Sequence, residues 1–234
     1  MTLSKIQLVS LVALVTACSA APEDGPEYED TGSGSSDTGD GPDINFYQGS
    51  EPFTEGMERL SIGIFYEGEA SQTIEIDDLT SHYYIYSDES SGQVTYETYQ
   101  DTTDRVEGYL SDVLVHSGGG WWGGGVHWDT SQDISAWTHL NLSVKSSDSG
   151  FSSTEVAIQS QGASFSEGKV RLSTYGFVAD SEWHRLQIPM ADLAIDGLDL
   201  TAVIAPLILV AEGGNSGAEL RIDELYFSAA TDSE

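Results

Sequence analysis

The sequence predicts an all-β fold, a sandwich of two antiparallel sheets sharing one core, and three observations predict it. From about Asn45 onward the chain offers about eleven segments rich in Val, Ile, Leu, Tyr and Phe, most alternating apolar with polar residues: RLSIGIFYE, QTIEIDDL, HYYIYSD, QVTYETY, SDVLVHS, LNLSVKS, TEVAIQS, KVRLSTYGF, HRLQIPM, AVIAPLILVA and ELRIDELYFS. Turn clusters such as SSGQ, DSG and EGGNSG separate them. No window sustains an amphipathic helix, although PMADLAIDGLDLT can hold one helical turn. Short strands with this punctuation pack as a sandwich, because each one-sided sheet must bury its apolar face on another. Pro189 and Pro206 belong at strand ends, edges or bulges, since neither can donate to a ladder.

The first residues read differently. Residues 1–17 carry one Lys and an apolar run from Ile6 to Val15, too short for a membrane span and of signal-peptide size. The run ends in Val15-Thr16-Ala17-Cys18, which resembles a bacterial lipobox and makes Cys18, the only cysteine, the expected lipidation site. Residues 18–44 are almost entirely Gly, Ser, Thr, Pro, Asp and Glu, with Tyr28 as the sole aromatic. Such a segment cannot bury enough surface to offset its ordering entropy, so it is expected to be a disordered acidic tether. The β domain then spans 45–229 and a short tail 230–234. A lipid-anchored protein of the bacterial cell envelope, on the outer membrane or cell surface and monomeric, is the expectation.

Charge narrows the partners. The formal net charge is −31, from eight Lys and Arg against 39 Asp and Glu. Nucleic acid is excluded as a partner, because phosphate binding needs a basic footprint. So much acid also favours solubility in a salty or calcium-containing medium.

The order of later segments brings a resemblance. DRVEGYLSD, GGGWWGGGVHWDTSQDISAWTHLNLSVKSS, KVRLSTYGF, EWHRLQIPMADL, LDLTAVIAPLILV and LRIDELYFS together resemble the β-jelly-roll carbohydrate-binding modules with a galactose-binding-like fold, over roughly residues 74 to 228. The stretch from Pro52 to Gln72 has no counterpart in that pattern. The resemblance implies a non-catalytic glycan binder with a structural calcium site. The acids matching that site are Asp77 or Asp78 in IEIDDL and Asp223 in LRIDEL, and hard oxygen ligands of this kind suit Ca²⁺.

Sugar binding needs a flat apolar surface for pyranose C–H faces and polar groups for the hydroxyls. Trp121 and Trp122 can supply the first, with one of the two expected to be exposed. Their flanking glycines would let a ligand approach the backbone and permit positive φ; alternatively, they form bulges while one Trp packs inward. Alternation nominates the polar companions: Glu155 and Gln159 oppose Val156 and Ile158, and Arg171 and Tyr175 oppose Val170 and Leu172. That face is either a glycan platform or a solvated exterior with a cross-strand ion pair. His127 and Asp129 oppose Val126 and Trp128, so His127 can extend the platform. Trp137 and Trp183 are expected in the core, and Tyr83, Tyr84 and Tyr86 mix both faces.

Catalysis has little support. The five His show no H-E-x-x-H or H-x-H spacing, no G-x-S-x-G elbow is present, and GGGWWGGG lacks the G-K-S/T ending of a phosphate loop. With 39 acids, candidate carboxylate pairs discriminate nothing. Two alternatives to glycan capture remain: a structural or adhesive lipoprotein that packs on a protein partner, and a polysaccharide lyase.

Overall fold

The computed structural model describes residues 79–229, apart from 89, 90, 107, 109 and 196, and the backbone of three earlier strands. Those three are β1 (Asn45–Tyr47), β2 (Arg59–Ser61) and β3 (Thr73–Ile76). The others are β4 (Ser81–Ile85), β5 (Tyr96–Asp101), β6 (Ser111–His116), β7 (Trp121–Trp128), β8 (His139–Lys145), β9 (Glu155–Gln161), β10 (Phe165–Arg171), β11 (His184–Pro189), β12 (Val203–Glu212) and β13 (Glu219–Ser228). One helical turn, α1 (Met190–Leu193), falls inside the PMADLAIDGLDLT segment. The signal, tether and tail segments, Cys18, Asp77 and Asp78 lie outside the described residues.

The strands form a jelly-roll sandwich. The smaller sheet runs β10-β9-β12-β7-β4, and the larger runs β1-β3-β2-β13-β6-β5, with β8 beside β13 and β11 beside β8. Pairing is antiparallel except that β3 runs parallel to both β1 and β2. Inward residues of both sheets make one core, including Trp122, Val126, Trp128, Val156, Ile158 and Leu209 from the smaller sheet and Leu140, Leu142, Ile222 and Phe227 from the larger. Pro189 closes β11 and caps α1, while Pro206 sits in the register shift between Ala205 and Ile208, so neither has to donate to a regular ladder.

Two expected elements differ. From Trp121 onward the glycine-tryptophan segment is a strand, β7, because its backbone pairs on both sides, with β12 and with β4. KVRLSTYGF is a strand only as far as Arg171. Leu172–Tyr175 is a 3-10 turn closed by Gly176 at φ 105°, a left-handed position that glycine adopts without strain.

Two tryptophans expected in the core part company. Trp137 is fully buried. Trp183 lies at the rim instead, where its indole N–H donates to Asp104 Oδ1 at 2.9 Å and the Lys145 ammonium stands 6.0 Å from its ring centre. An N–H with a charged acceptor at the surface gains more there than in an apolar core.

His116 couples this packing to pH. Its side chain is buried and Nδ1 accepts a hydrogen bond from the Gly118 N–H at 2.7 Å, so the folded state needs an unprotonated Nδ1. Burial lowers its pKa, against smaller raising contributions from the Gly213 backbone and Asp148. His127 is lowered too, by burial and then by the facing His82. Both groups therefore stabilise the fold fully above the unfolded value of about 6.5, and that stability is lost as the pH falls below it, because the unfolded chain takes the proton first. The melting temperature should drop between pH 7.5 and 5, and His116→Asn should make the drop shallower. An unchanged pH slope in that variant would remove His116 from the account.

Candidate functional site

Strand parity builds an open face on the smaller sheet. In β7 the even positions Trp122, Val126 and Trp128 enter the core, which leaves Trp121, Gly123, Gly125 and His127 on the outer face. The register carries this face across the sheet. On β4 it brings His82 opposite His127 and Tyr84 opposite Gly125, and just past the strand's end the Tyr86 N–H donates to the Gly123 carbonyl. On β12 it brings Ile208 opposite Gly125 and Val210 opposite Gly123, and on β9 Glu155, Ala157 and Gln159. Arg171 and Lys169 of β10 stand opposite Glu155 and Ala157. Glycine, alanine and Ile208 floor the middle strands while rings line one side and long charged chains the other, so the face is a trough. Its floor is a small apolar cluster around Ala157, Ala205 and Ile208, with Tyr86 and Val210 packed against it.

The aromatic side is ordered by its own contacts. The Trp121 and Tyr86 rings are nearly parallel, 7° between planes with centres 6.3 Å apart. The Tyr86 hydroxyl and His127 Nε2 share a 3.0 Å hydrogen bond, and Tyr84 meets the His127 ring edge-on at 5.2 Å. The Tyr86 phenol is held well above its ordinary value, first by burial and then by the Glu167 carboxylate of β10, so the trough's two sides sense each other. Losing the hydroxyl in Tyr86→Phe should free the Tyr86 ring from His127 and loosen the parallel pair without unfolding the domain. A neutral hydrogen bond is worth about 0.5–1.5 kcal/mol, so ligand affinity should fall roughly two- to tenfold, and His127→Ala should show the same loss. Full affinity in Tyr86→Phe would show that this bond does not set the platform.

The charged side begins beside Trp121. Glu155 pairs with Lys169 at 3.1 Å and Arg171 at 3.6 Å, and Gln159 donates to Glu167 at 2.7 Å. These pairs are partly exposed and contribute little to stability, which leaves the groups able to exchange partners with a ligand. Trp121, Glu155, Lys169, Arg171, Val210 and Glu212 line a cavity of about 310 Å³ at this end.

The structure thus brings Trp121, His127, Glu155, Gln159 and Arg171 onto one face and removes two residues from it. Trp122 is 1% exposed, packed edge-to-face against Tyr96 and Phe151 with centres 5.6 Å apart in each case, because its parity is that of Val126 and Trp128. Tyr175 sits on the 3-10 turn, where alternation no longer applies, and donates to Asp192 at 2.7 Å. Burial, then that carboxylate, push its phenol up to about 12. Tyr84, Tyr86, Glu167 and Lys169 join the face unforeseen. The parity of HYYIY contains Tyr84 and Tyr86, but only the pairing with β7 places Tyr86 beside Trp121 and Tyr84 beside His127.

The glycines answer to the protein itself. A Cβ on Gly123 would lie 2.8 Å from Trp121 Cζ2, so the indole folds back over that residue. One on Gly125 would lie 3.0 Å from the Ile208 Cα. Those sites are close-packed rather than open to a ligand, and in this segment positive φ occurs at Gly118 alone.

Asp223 is buried, and its carboxylate accepts from the Val106 N–H at 2.6 Å and the Glu224 N–H at 2.7 Å. Among the described residues no group of three His, Cys, Asp or Glu is placed to hold a metal ion.

A jelly-roll sandwich that holds parallel aromatic rings beside a polar trough defines a carbohydrate-binding module. The model of carbohydrate binding domain 30 matches residues 62–229, and the chain belongs to that family. Among solved structures, a family 30 carbohydrate-binding module superposes with a TM-score of 0.52 at 16% identity, covering 60% of this chain and 80% of its own. The family 30 module of the cellulosomal cellulase Cel9D-Cel44B of Clostridium thermocellum gives 0.50 at 17% identity, covering 62% and 90%. No curated protein sequence matches the chain.

Proposed function

We propose that the chain is a non-catalytic, lipid-anchored envelope protein that captures polysaccharide in the trough of the smaller sheet. The observation that carries this is the Trp121–Tyr86 pair, held parallel at the edge of a groove whose other side is hydrogen-bonding and charged. A pyranose laid on the rings buries its C–H face, while Glu155, Gln159, Lys169 and Arg171 reach its hydroxyls. Because one structural relative is a module of a cellulase, β-linked glucans are the first ligands to try. Titration of the full chain with soluble β-glucans, followed by Trp fluorescence, should give saturable binding with no release of reducing ends. A folded chain that binds none of them, nor any polysaccharide on a broad glycan array, would overturn the proposal.

The anchor belongs to the same proposal. Lipidation of Cys18 would fix the protein to the outer membrane or cell surface, and residues 18–44 would hold the trough clear of it. Cys18→Ser should move the protein from the membrane to the soluble fraction.

Structural calcium is also part of the proposal, held by Asp223 with Asp77 or Asp78. Carboxylate oxygens are the hard ligands that suit such a cation. Its chemistry there would be to neutralise buried acid and tie the early strands to β13. A chelator should lower the melting temperature, and added calcium should restore it. Identical melting with and without chelator would remove calcium from the proposal.

A further inference from the structure

The larger sheet carries a second cavity, of about 470 Å³, on its own outer face. Adjacent strands β11, β8 and β13 line it with Arg185 and Gln187, Asn141 and Ser143, and Glu224 and Tyr226. A β-bulge between Asp223 and Tyr226 shapes it. The bulge holds Glu224 at φ 55°, one of two non-glycine residues with positive φ among those described. A left-handed backbone and a 5% exposed carboxylate both cost stability, and residues held in that condition gather at ligand sites.

The lining has a definite chemistry. The Glu224 carboxylate accepts from Ser143 Oγ at 2.8 Å and from Arg185 Nη2 at 2.6 Å. Arg185 is 70% exposed, so its ion pair contributes little to stability. Its guanidinium stands at the mouth with further N–H groups to donate. Deeper in, Asn141 donates to Ser228 Oγ at 2.9 Å, and its carbonyl oxygen accepts only a long 3.4 Å bond from Gln187. Arg185 and Glu224 cancel in charge, so the site does not select an anion. Tyr226 is 3% exposed and offers no ring face for stacking. What remains is a set of fixed donors and acceptors in a volume suited to a small ligand.

We propose that this cavity is a second saccharide site, which takes a single neutral sugar or the end of a chain by hydrogen bonds alone. The Arg185 fork and the Glu224 carboxylate would bridge vicinal hydroxyls, and the two carboxamides would take the next ones. A site without an aromatic platform lacks the apolar contact area of the trough and binds more weakly than it. Placed on the sheet opposite the trough, it lets one molecule hold two chains, or the interior and the end of one, and the linked sites then gain avidity.

The test maps amide shifts of the full chain while glucose, galactose, mannose and cellobiose are titrated separately. At least one sugar should move the amides of residues 141–143, 185–187 and 224–226 in a saturable way, equally in wild type and in Trp121→Ala. Arg185→Ala should weaken that binding at least tenfold. Because it also strands the Glu224 charge and can unfold the sheet, Gln187→Ala provides a second variant, expected to weaken binding several-fold in an intact fold. The proposal is overturned if none of the four sugars moves these amides, or if the shifts persist unchanged in both variants. Failure of the trough is read separately, from amides 121–127 and 155–171.

Discussion

Trp121→Ala should remove saturable polysaccharide binding while the domain keeps nearly its full melting temperature, and Trp122→Ala should do the reverse. The two residues are neighbours in sequence and differ only in parity. Trp121 lies half-buried on the outer face, stacked near Tyr86 over Gly123. Truncating a Trp that anchors a binding surface costs about 2 kcal/mol or more, a loss of roughly thirtyfold in affinity. Trp122 fills the core between Tyr96 and Phe151. Its truncation leaves a cavity costing about 3–5 kcal/mol, a large share of a domain's stability of about 5–15 kcal/mol. Affinity by fluorescence or calorimetry and melting by circular dichroism separate the two losses. Equal binding by wild type and Trp121→Ala would show that the ring pair is not the platform.

Parity was legible in the sequence wherever side chains mark it. TEVAIQS puts Val156 and Ile158 against Glu155 and Gln159, and the structure follows that division. In β7 the three glycines erase the marking, yet Val126 and Trp128 still fix it: counted back by twos, they place Trp122 inward. Register was not legible. Which outer residues become neighbours depends on how β4, β7, β12, β9 and β10 are ordered across the sheet. That order joins residues more than thirty positions apart, such as Tyr86 and Trp121. Tyr175 shows the other limit. Alternation holds only while the chain stays extended, and the Leu172 N–H, bonded to the Thr154 carbonyl, begins a 3-10 turn that ends the count.

Register also explains the symmetric look of GGGWWGGG, and the symmetry is deceptive. Gly120→Ala should leave stability within about 0.5 kcal/mol of wild type or raise it slightly, because a Cβ there meets nothing within 4 Å and its φ is not positive. Gly124→Ala should be severely destabilising. Its Cβ would enter the space of the Tyr96 hydroxyl and lie 2.7 Å from the Tyr84 carbonyl oxygen. Neither neighbour can give way cheaply. Tyr96 is fully buried and hydrogen-bonded to the Tyr83 hydroxyl, and the Tyr84 carbonyl belongs to a strand paired with β7. Overpacking typically costs about 1–3 kcal/mol, and a clash with backbone belongs at or above the top of that range. For a domain of this size, roughly 3 kcal/mol lowers the melting temperature by about 6–12 °C. The shift would carry into function, since Tyr86 directly follows β4 and moving the strand separates the ring pair. If Gly124→Ala melts with wild type, the close approach of β4, β7 and Tyr96 does not hold in solution, and the downstream glycines need another cause. If it melts low and Gly120→Ala does not, the first three glycines belong to a turn, and the last three are the space into which the protein's own rings and strands fit.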